Sequence, residues 1–226
     1  FGMVQFTPSF FSPNKGFVIT QLSGAGCPNM GNFPVMAISN EMKKSPNNME
    51  SFDCYKSIKN SKAGLLSVEM NDGTEISVTA TKRTAVAKFK FGASDRGTVI
   101  IGSGINSTKV NNAFVTNTSL KSCEGYATGG NFCGTDTNYP IFFYAEFDRP
   151  SLEFKVWKKN RILSKRSAEG PNSGTIFTFD TSMNKEVNYR ISISFVSIEN
   201  AKMNMKFQDV GFNFQSYLSK NQESWN

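Results

Sequence analysis

The sequence contains eighteen carboxylates and no histidine. Acid–base chemistry in this chain would therefore fall to Asp and Glu, and Ser/His/Asp or Cys/His machinery is removed. Glycoside hydrolysis needs two carboxyl groups, one kept protonated by apolar surroundings and one ionised. The candidates near glycine-rich segments are Asp136, Glu146 and Asp148. Each also has a structural reading. Glu146 falls on the polar side of a strand pattern, Asp148-Arg149-Pro150 reads as a turn, and Asp136 within CGTDTN reads as an Asx-turn. Cys27, Cys54, Cys123 and Cys133 show no C-x-x-C spacing, so no zinc site is expected. Their even number permits disulfides without choosing a pairing.

Two segments concentrate unusual backbone chemistry. The first, 16–36 (GFVITQLSGAGCPNMGNFPVM), places Gly24, Gly26, Cys27, Pro28, Asn29, Gly31 and Asn32 between two apolar runs. That is more than a two-residue turn requires, and glycine lets a backbone present N–H groups closely to a polar ligand. The same composition also suits a structural corner of a sandwich. The second, 126–139 (YATGGNFCGTDTNY), again holds a cysteine among glycines. Phe132 and the Phe10-Phe11 pair could stack on a sugar ring, although the default place for any of 21 Phe is the core. Neither loop ends in Gly-Lys-Ser/Thr, so no phosphate loop is present.

The elements that would position these loops are strands. Leu66, Val68 and Met70 alternate up to the turn Asn71-Asp72-Gly73, and Ile76, Val78 and Ala80 alternate after it, predicting a hairpin. Further strands are predicted at 85–91, 98–101, 113–115, 119–123, 141–147, 152–156 and 177–179. The clearest runs through VNYRISISF, with Val187, Tyr189, Ile191, Ile193 and Phe195 facing a core and Asn188, Arg190, Ser192 and Ser194 facing water or a second layer. Residues 40–62 and 158–173 read as loops. Near the end the period changes. Residues 198–205 have helical character, and Phe214, Tyr217, Leu218 and Trp225 fit a helix with one apolar face. About a dozen strands closed by an amphipathic helix predict a β-sandwich whose last element packs on another domain.

Composition bounds the class. A chain of 226 residues with 38% hydrophobic content can build a sizeable core. No apolar run approaches the roughly 18 residues of a membrane span. The net charge of +7 is dispersed over pairs such as Lys43-Lys44, Lys82-Arg83, Lys158-Lys159 and Lys165-Arg166. Nucleic-acid binding would need a denser stripe with exposed aromatics, so none is expected. FGMVQFTP reads as mid-domain sequence, pointing to a piece of something longer.

Five segments carry a family resemblance: FGMVQFTP, QLSGAGCPNMGNFPVM from Gln21, AGLLSVEMNDGTEISVTATKRTAVAKFKF from Ala63, GGNFCGTDTNYPIFFYAEFDRP from Gly129 and VNYRISISFVSIENAKMNM from Val187. In this order and spacing the chain resembles the amino-terminal domain of glycoside hydrolase family 92, the calcium-dependent exo-acting α-mannosidases. The resemblance implies an all-β fold, a large antiparallel β-sandwich of the galactose-mutarotase-like supersandwich type with a C-terminal linker helix. It places the sandwich at 1–205 and a helical linker at 206–226, leading toward an (α/α)6 catalytic domain absent from this chain. The implied activity is inverting release of terminal α-mannosides, as on N-glycans, in the cleft between the two domains. There a Glu protonates the leaving oxygen, a carboxylate activates water and Ca2+ engages sugar hydroxyls.

Catalytic residues and calcium ligands are accordingly expected in the helical domain or a companion chain, with none here. The sandwich would supply one wall of the cleft through Gln21, Ser23, Gly26, Cys27, Asn29, Asn32, Phe132 and Cys133. The sequence departs from the family where a histidine is common (Gln21 here) and where an Asp is common (Asn29 or Asn32 here). The short 9–15 also replaces a longer tryptophan-bearing segment. Both glycine loops should face one cleft, bringing Cys27 near Cys133. Export to the periplasm or exterior is implied. The alternative function is a carbohydrate-binding sandwich without hydrolysis.

Overall fold

The computed structural model describes residues 4–8, 16–20, 31–49, 56–105, 110–130, 136 and 138–224. In chain order the first strands are β1 (Gln5–Pro8), β2 (Phe17–Thr20), β3 (Asn32–Ile38), β4 (Ser57–Lys62), β5 (Leu65–Glu69), β6 (Glu75–Ala80) and β7 (Thr84–Lys90). Then follow β8 (Arg96–Gly102), β9 (Asn112–Ser119), β10 (Ser122–Gly130), β11 (Asn138–Phe147) and β12 (Glu153–Lys158). The last are β13 (Arg161–Leu163), β14 (Ser167–Glu169), β15 (Ser173–Asp180) and β16 (Glu186–Ser194), with helices α1 (Ile198–Phe207) and α2 (Phe214–Glu223).

The strands form two antiparallel sheets, as the alternating pattern predicts. One has the order β1-β2-β3-β8-β15-β12-β13, the other β14-β9-β10-β11-β16-β7-β6-β5-β4. One apolar cluster fills the space between them. Phe147 sits at its centre, with ring centroids 4.9 Å from Phe177, 5.0 Å from Phe179 and 5.3 Å from Tyr189. Such aromatic contacts add to area burial because ring edges meet ring faces. The predicted hairpin is β5–β6, turned by Gly73 at φ 81° with its N–H donating to the Met70 carbonyl.

Five expectations need correction. Within 40–62, β4 is an edge strand exposed along most of its length, so no apolar period marked it. Within 158–173 lie the three-residue strands β13 and β14, too short to show a period. The strand expected at 119–123 is broken by the turn Leu120-Lys121, with Ser119 ending β9 and Ser122 opening β10, and β10 runs on through Gly129 and Gly130, which were expected in the loop. Phe195 lies beyond β16 and is exposed.

The polar side of β16 is covered. Ser197 caps α1 by accepting from the Asn200 N–H, and Asn213 caps α2 by accepting from the Ser216 N–H. α1 lies across β16, β11 and β10, and α2 across β6 and β7, burying Ala201, Met205, Tyr217 and Leu218. Trp225 lies outside the described residues. No described helix is long and apolar enough to cross a membrane.

Candidate functional site

Strand pairing sets where the two glycine loops leave the sandwich. Phe33 on β3 packs on Phe143 of β11 with centroids 4.5 Å apart. Four residues further along β11, Phe147 packs on Phe177, whose register runs through Val99 to Ala37, four residues beyond Phe33. β3 and β11 therefore run in the same direction across the core. Since β2 is antiparallel to β3 and β10 to β11, the connections after β2 and after β10 both depart from one end of the sandwich. The Thr81–Arg83 turn and the start of α1 belong to that end too, because Thr84 pairs with Ser192 and Ser194 with Phe142.

The exit of the first loop is conformationally unusual. Gly31 has φ 129° and Phe33 φ 51°, a left-handed backbone that few side chains adopt. Strain of this kind persists only where surrounding structure over-determines it, and the fully enclosed Phe33 ring supplies that constraint. Asn32, beside it, is completely buried at the start of β3. Gln21, Ser23, Gly26, Cys27, Asn29, Phe132 and Cys133 lie outside the described residues, as does the expected approach of Cys27 to Cys133. At the second loop, Asn138 opens β11 and accepts a hydrogen bond from Asn111, and Asp136 is exposed.

The candidate carboxylates Glu146 and Asp148 lie at the other end of β11, away from the glycine loops, and hold structural posts. Glu146 accepts from Arg190 Nε at 2.6 Å and from the Tyr144 hydroxyl at 3.0 Å. Asp148 accepts from the backbone and side-chain nitrogens of Asn188 at 3.1 and 2.7 Å. Sequence reasoning missed Arg190 as a hub. Its guanidinium pairs with Asp209, donates to Tyr217 OH at 3.1 Å and to the Gly211 carbonyl at 3.0 Å, and lies 4.5 Å from the Phe212 ring centroid. A lone Arg among the small polar residues Asn188, Ser192 and Ser194 was the available signal.

Burial disfavours the charged guanidinium, but the hydrogen bonds to Asp209 and Tyr217 and the charge of Glu146 outweigh it and raise its pKa. The hydrogen bond from Arg190 holds Asp209 below its ordinary value. Burial, with Glu146 beside it, pushes Tyr144 up to about 12.

Calcium prefers six to eight oxygen ligands rich in carboxylate. Among the described residues no group of three or more Cys, Asp or Glu converges in this way. Glu146, Asp148, Glu124 and Glu69 are engaged by Arg190, Asn188, Lys202 and Lys56 with Lys59.

The sequence profile of the glycosyl hydrolase family 92 N-terminal domain matches residues 1–194. The chain belongs to that family. Among solved structures, the family GH92 α-mannosidase from Bacteroides thetaiotaomicron in complex with mannoimidazole is similar at TM-score 0.81 and 23% identity, over 99% of this chain and 33% of that one. A GH92 family glycosyl hydrolase reaches TM-score 0.83 at 19% identity, over 100% of this chain and 33% of that one. The family GH92 inverting mannosidase from Bacteroides thetaiotaomicron VPI-5482 gives TM-score 0.80 at 20% identity, over 99% and 31%. These likenesses establish the fold. No curated protein matches the sequence. The chain spans about a third of the length of the structures it resembles.

Proposed function

We propose that this family 92 N-terminal domain forms one wall of a carbohydrate cleft and takes part in hydrolysis of terminal α-mannosides only together with a helical C-terminal portion. The carrying observation is that the strand pairs bearing both glycine loops open at one end of the sandwich, within a chain matched by the family profile from 1 to 194. In this reading 1–205 are the sandwich and 206–226 lead into the C-terminal portion. Gln21, Ser23, Gly26, Cys27, Asn29, Asn32, Phe132 and Cys133 line the cleft wall. The proton-transfer carboxylates and calcium are assigned to the C-terminal portion, as the family resemblance implies. The same reading assigns the protein to the periplasm or the exterior of the cell.

The test is mannose release from an α-linked mannobiose by this chain, by the full-length protein, and by the full-length protein with chelator. Release by the full-length protein alone, abolished by chelation and restored by Ca2+, is expected. Equal release by the isolated chain, or none by the folded full-length protein on any α-mannoside, refutes the proposal.

A further inference from the structure

Eight large apolar side chains stand exposed among the described residues, and four of them fall between positions 195 and 207: Phe195, Val196, Met203 and Phe207. Val196 is 70% exposed, Met203 67% and Phe207 79%. Met203 and Phe207 are one turn apart on α1, so they share a face. That face is the one turned away from the sheet, because Ala201 and Met205 occupy the buried side. α1 is thus apolar on both sides, which in a globular protein marks a helix covered on both sides.

The rim of the ridge is mostly cationic. Lys82 and Arg83 on the β6–β7 turn and Lys206 on α1 are exposed, and no described carboxylate pairs with them. The Arg83 guanidinium sits 5.4 Å from the Phe207 ring centroid and donates to Asn204. The ridge lies at the sandwich end from which both glycine loops depart. It is also firmly seated: Asn204 Nδ2 donates to the Ile193 carbonyl at 2.8 Å, and Gln208 accepts from the Thr81 hydroxyl at 2.6 Å and the Arg83 N–H at 2.9 Å.

We infer that the outer side of α1, from Phe195 to Phe207, is the surface that receives the C-terminal portion of the protein, through an apolar contact fringed by carboxylates. The occupant follows from length: the chain matches a third of each similar structure and almost all of itself. The inference rests on the functional reading above insofar as that reading supplies a C-terminal portion.

Methionine footprinting of the full-length protein tests it without mutation. Thioether oxidation follows exposure, and Met183, 96% exposed at the opposite end between β15 and β16, is an internal reference. With the ridge covered, Met203 forms sulfoxide at least about ten-fold more slowly than Met183, and Phe207→Glu restores it to within about two-fold. Comparable rates at both residues in the unmutated protein overturn the inference. So does protection of Met203 that disappears on dilution, since a second copy is then the occupant. Protection without mannose release removes the mannosidase reading and leaves the surface standing; release without protection does the reverse.

Discussion

Replacing Arg190 by methionine should loosen the helical corner from the sheet. The Arg190 side chain is only 9% exposed, and its five partners come from β11, the α1–α2 connection and α2. Removing one member of a buried ion pair typically costs about 3–5 kcal/mol, because its partner is left buried and uncompensated. Here Glu146 is the partner that suffers, being 21% exposed, whereas Asp209 at 41% regains water and contributes little. Methionine refills much of the aliphatic volume, which places the ionic loss near the lower bound. The lost contact with Phe212 adds about 1 kcal/mol.

The expected total is about 3–4 kcal/mol, or a fall in Tm of roughly 6–16 °C for a domain of this size. Urea unfolding should show a lower midpoint at unchanged slope. Hydrogen exchange should rise first in the 208–213 connection. Arg190→Lys keeps the charge but not the planar fork, and should cost about 1–2 kcal/mol. In double-mutant cycles Glu146→Gln should couple to Arg190 more strongly than Asp209→Asn does. An Arg190→Met protein within about 0.5 kcal/mol of the parent refutes the reasoning, since that is the range of an inert surface change.

Two further perturbations follow. Asp209 titrates below its ordinary 3.8 in the folded protein because Arg190 donates to it. Its contribution is therefore present above that value and lost as pH falls through the lower folded one, so the stability difference between the parent and Asp209→Asn should shrink below about pH 4 in acid-unfolding curves. A Gly174→Ala substitution would place its Cβ 2.2 Å from Trp157 Cη2 and 2.3 Å from the Ile101 carbonyl. Trp157 is fully buried and anchored through Nε1–H to the Asn47 carbonyl at 2.8 Å, so neither neighbour yields. A loss of about 3 kcal/mol or more in urea unfolding, or an insoluble product, is expected.

Local alternation was readable wherever a strand has one wet and one dry face. β5, β6, β9 and β11 have that pattern, and the periodicity located each of them within a few residues. β4 escaped because an exposed edge strand buries neither face, and its ladder to β5 is made by backbone atoms that every residue type possesses. Sheet membership was equally hidden: β8 pairs with β3 and β15, which precede and follow it by many residues, and side-chain pattern carries no record of that partnership.

The helical corner shows why a site can be half legible. The polar side of VNYRISISF was visible, and so was the choice it posed between water and a second layer. The structure resolves it in favour of a layer, since Ser192 and Ser194 are buried. What decides the matter is Arg190, whose partners lie 44, 19 and 27 residues away at Glu146, Asp209 and Tyr217. A charge so enclosed is tolerated only when every donor direction finds an acceptor, so burial of Arg190 and the path of the chain through 209–217 require one another. The same logic applies outward. α1 places polar groups against the sheet, through Asn204 and the Ala201 carbonyl, and large apolar groups away from it. Since Ala201 and Met205 are buried against the sheet as well, α1 carries apolar groups on both sides, the pattern of a helix whose outer side is also covered.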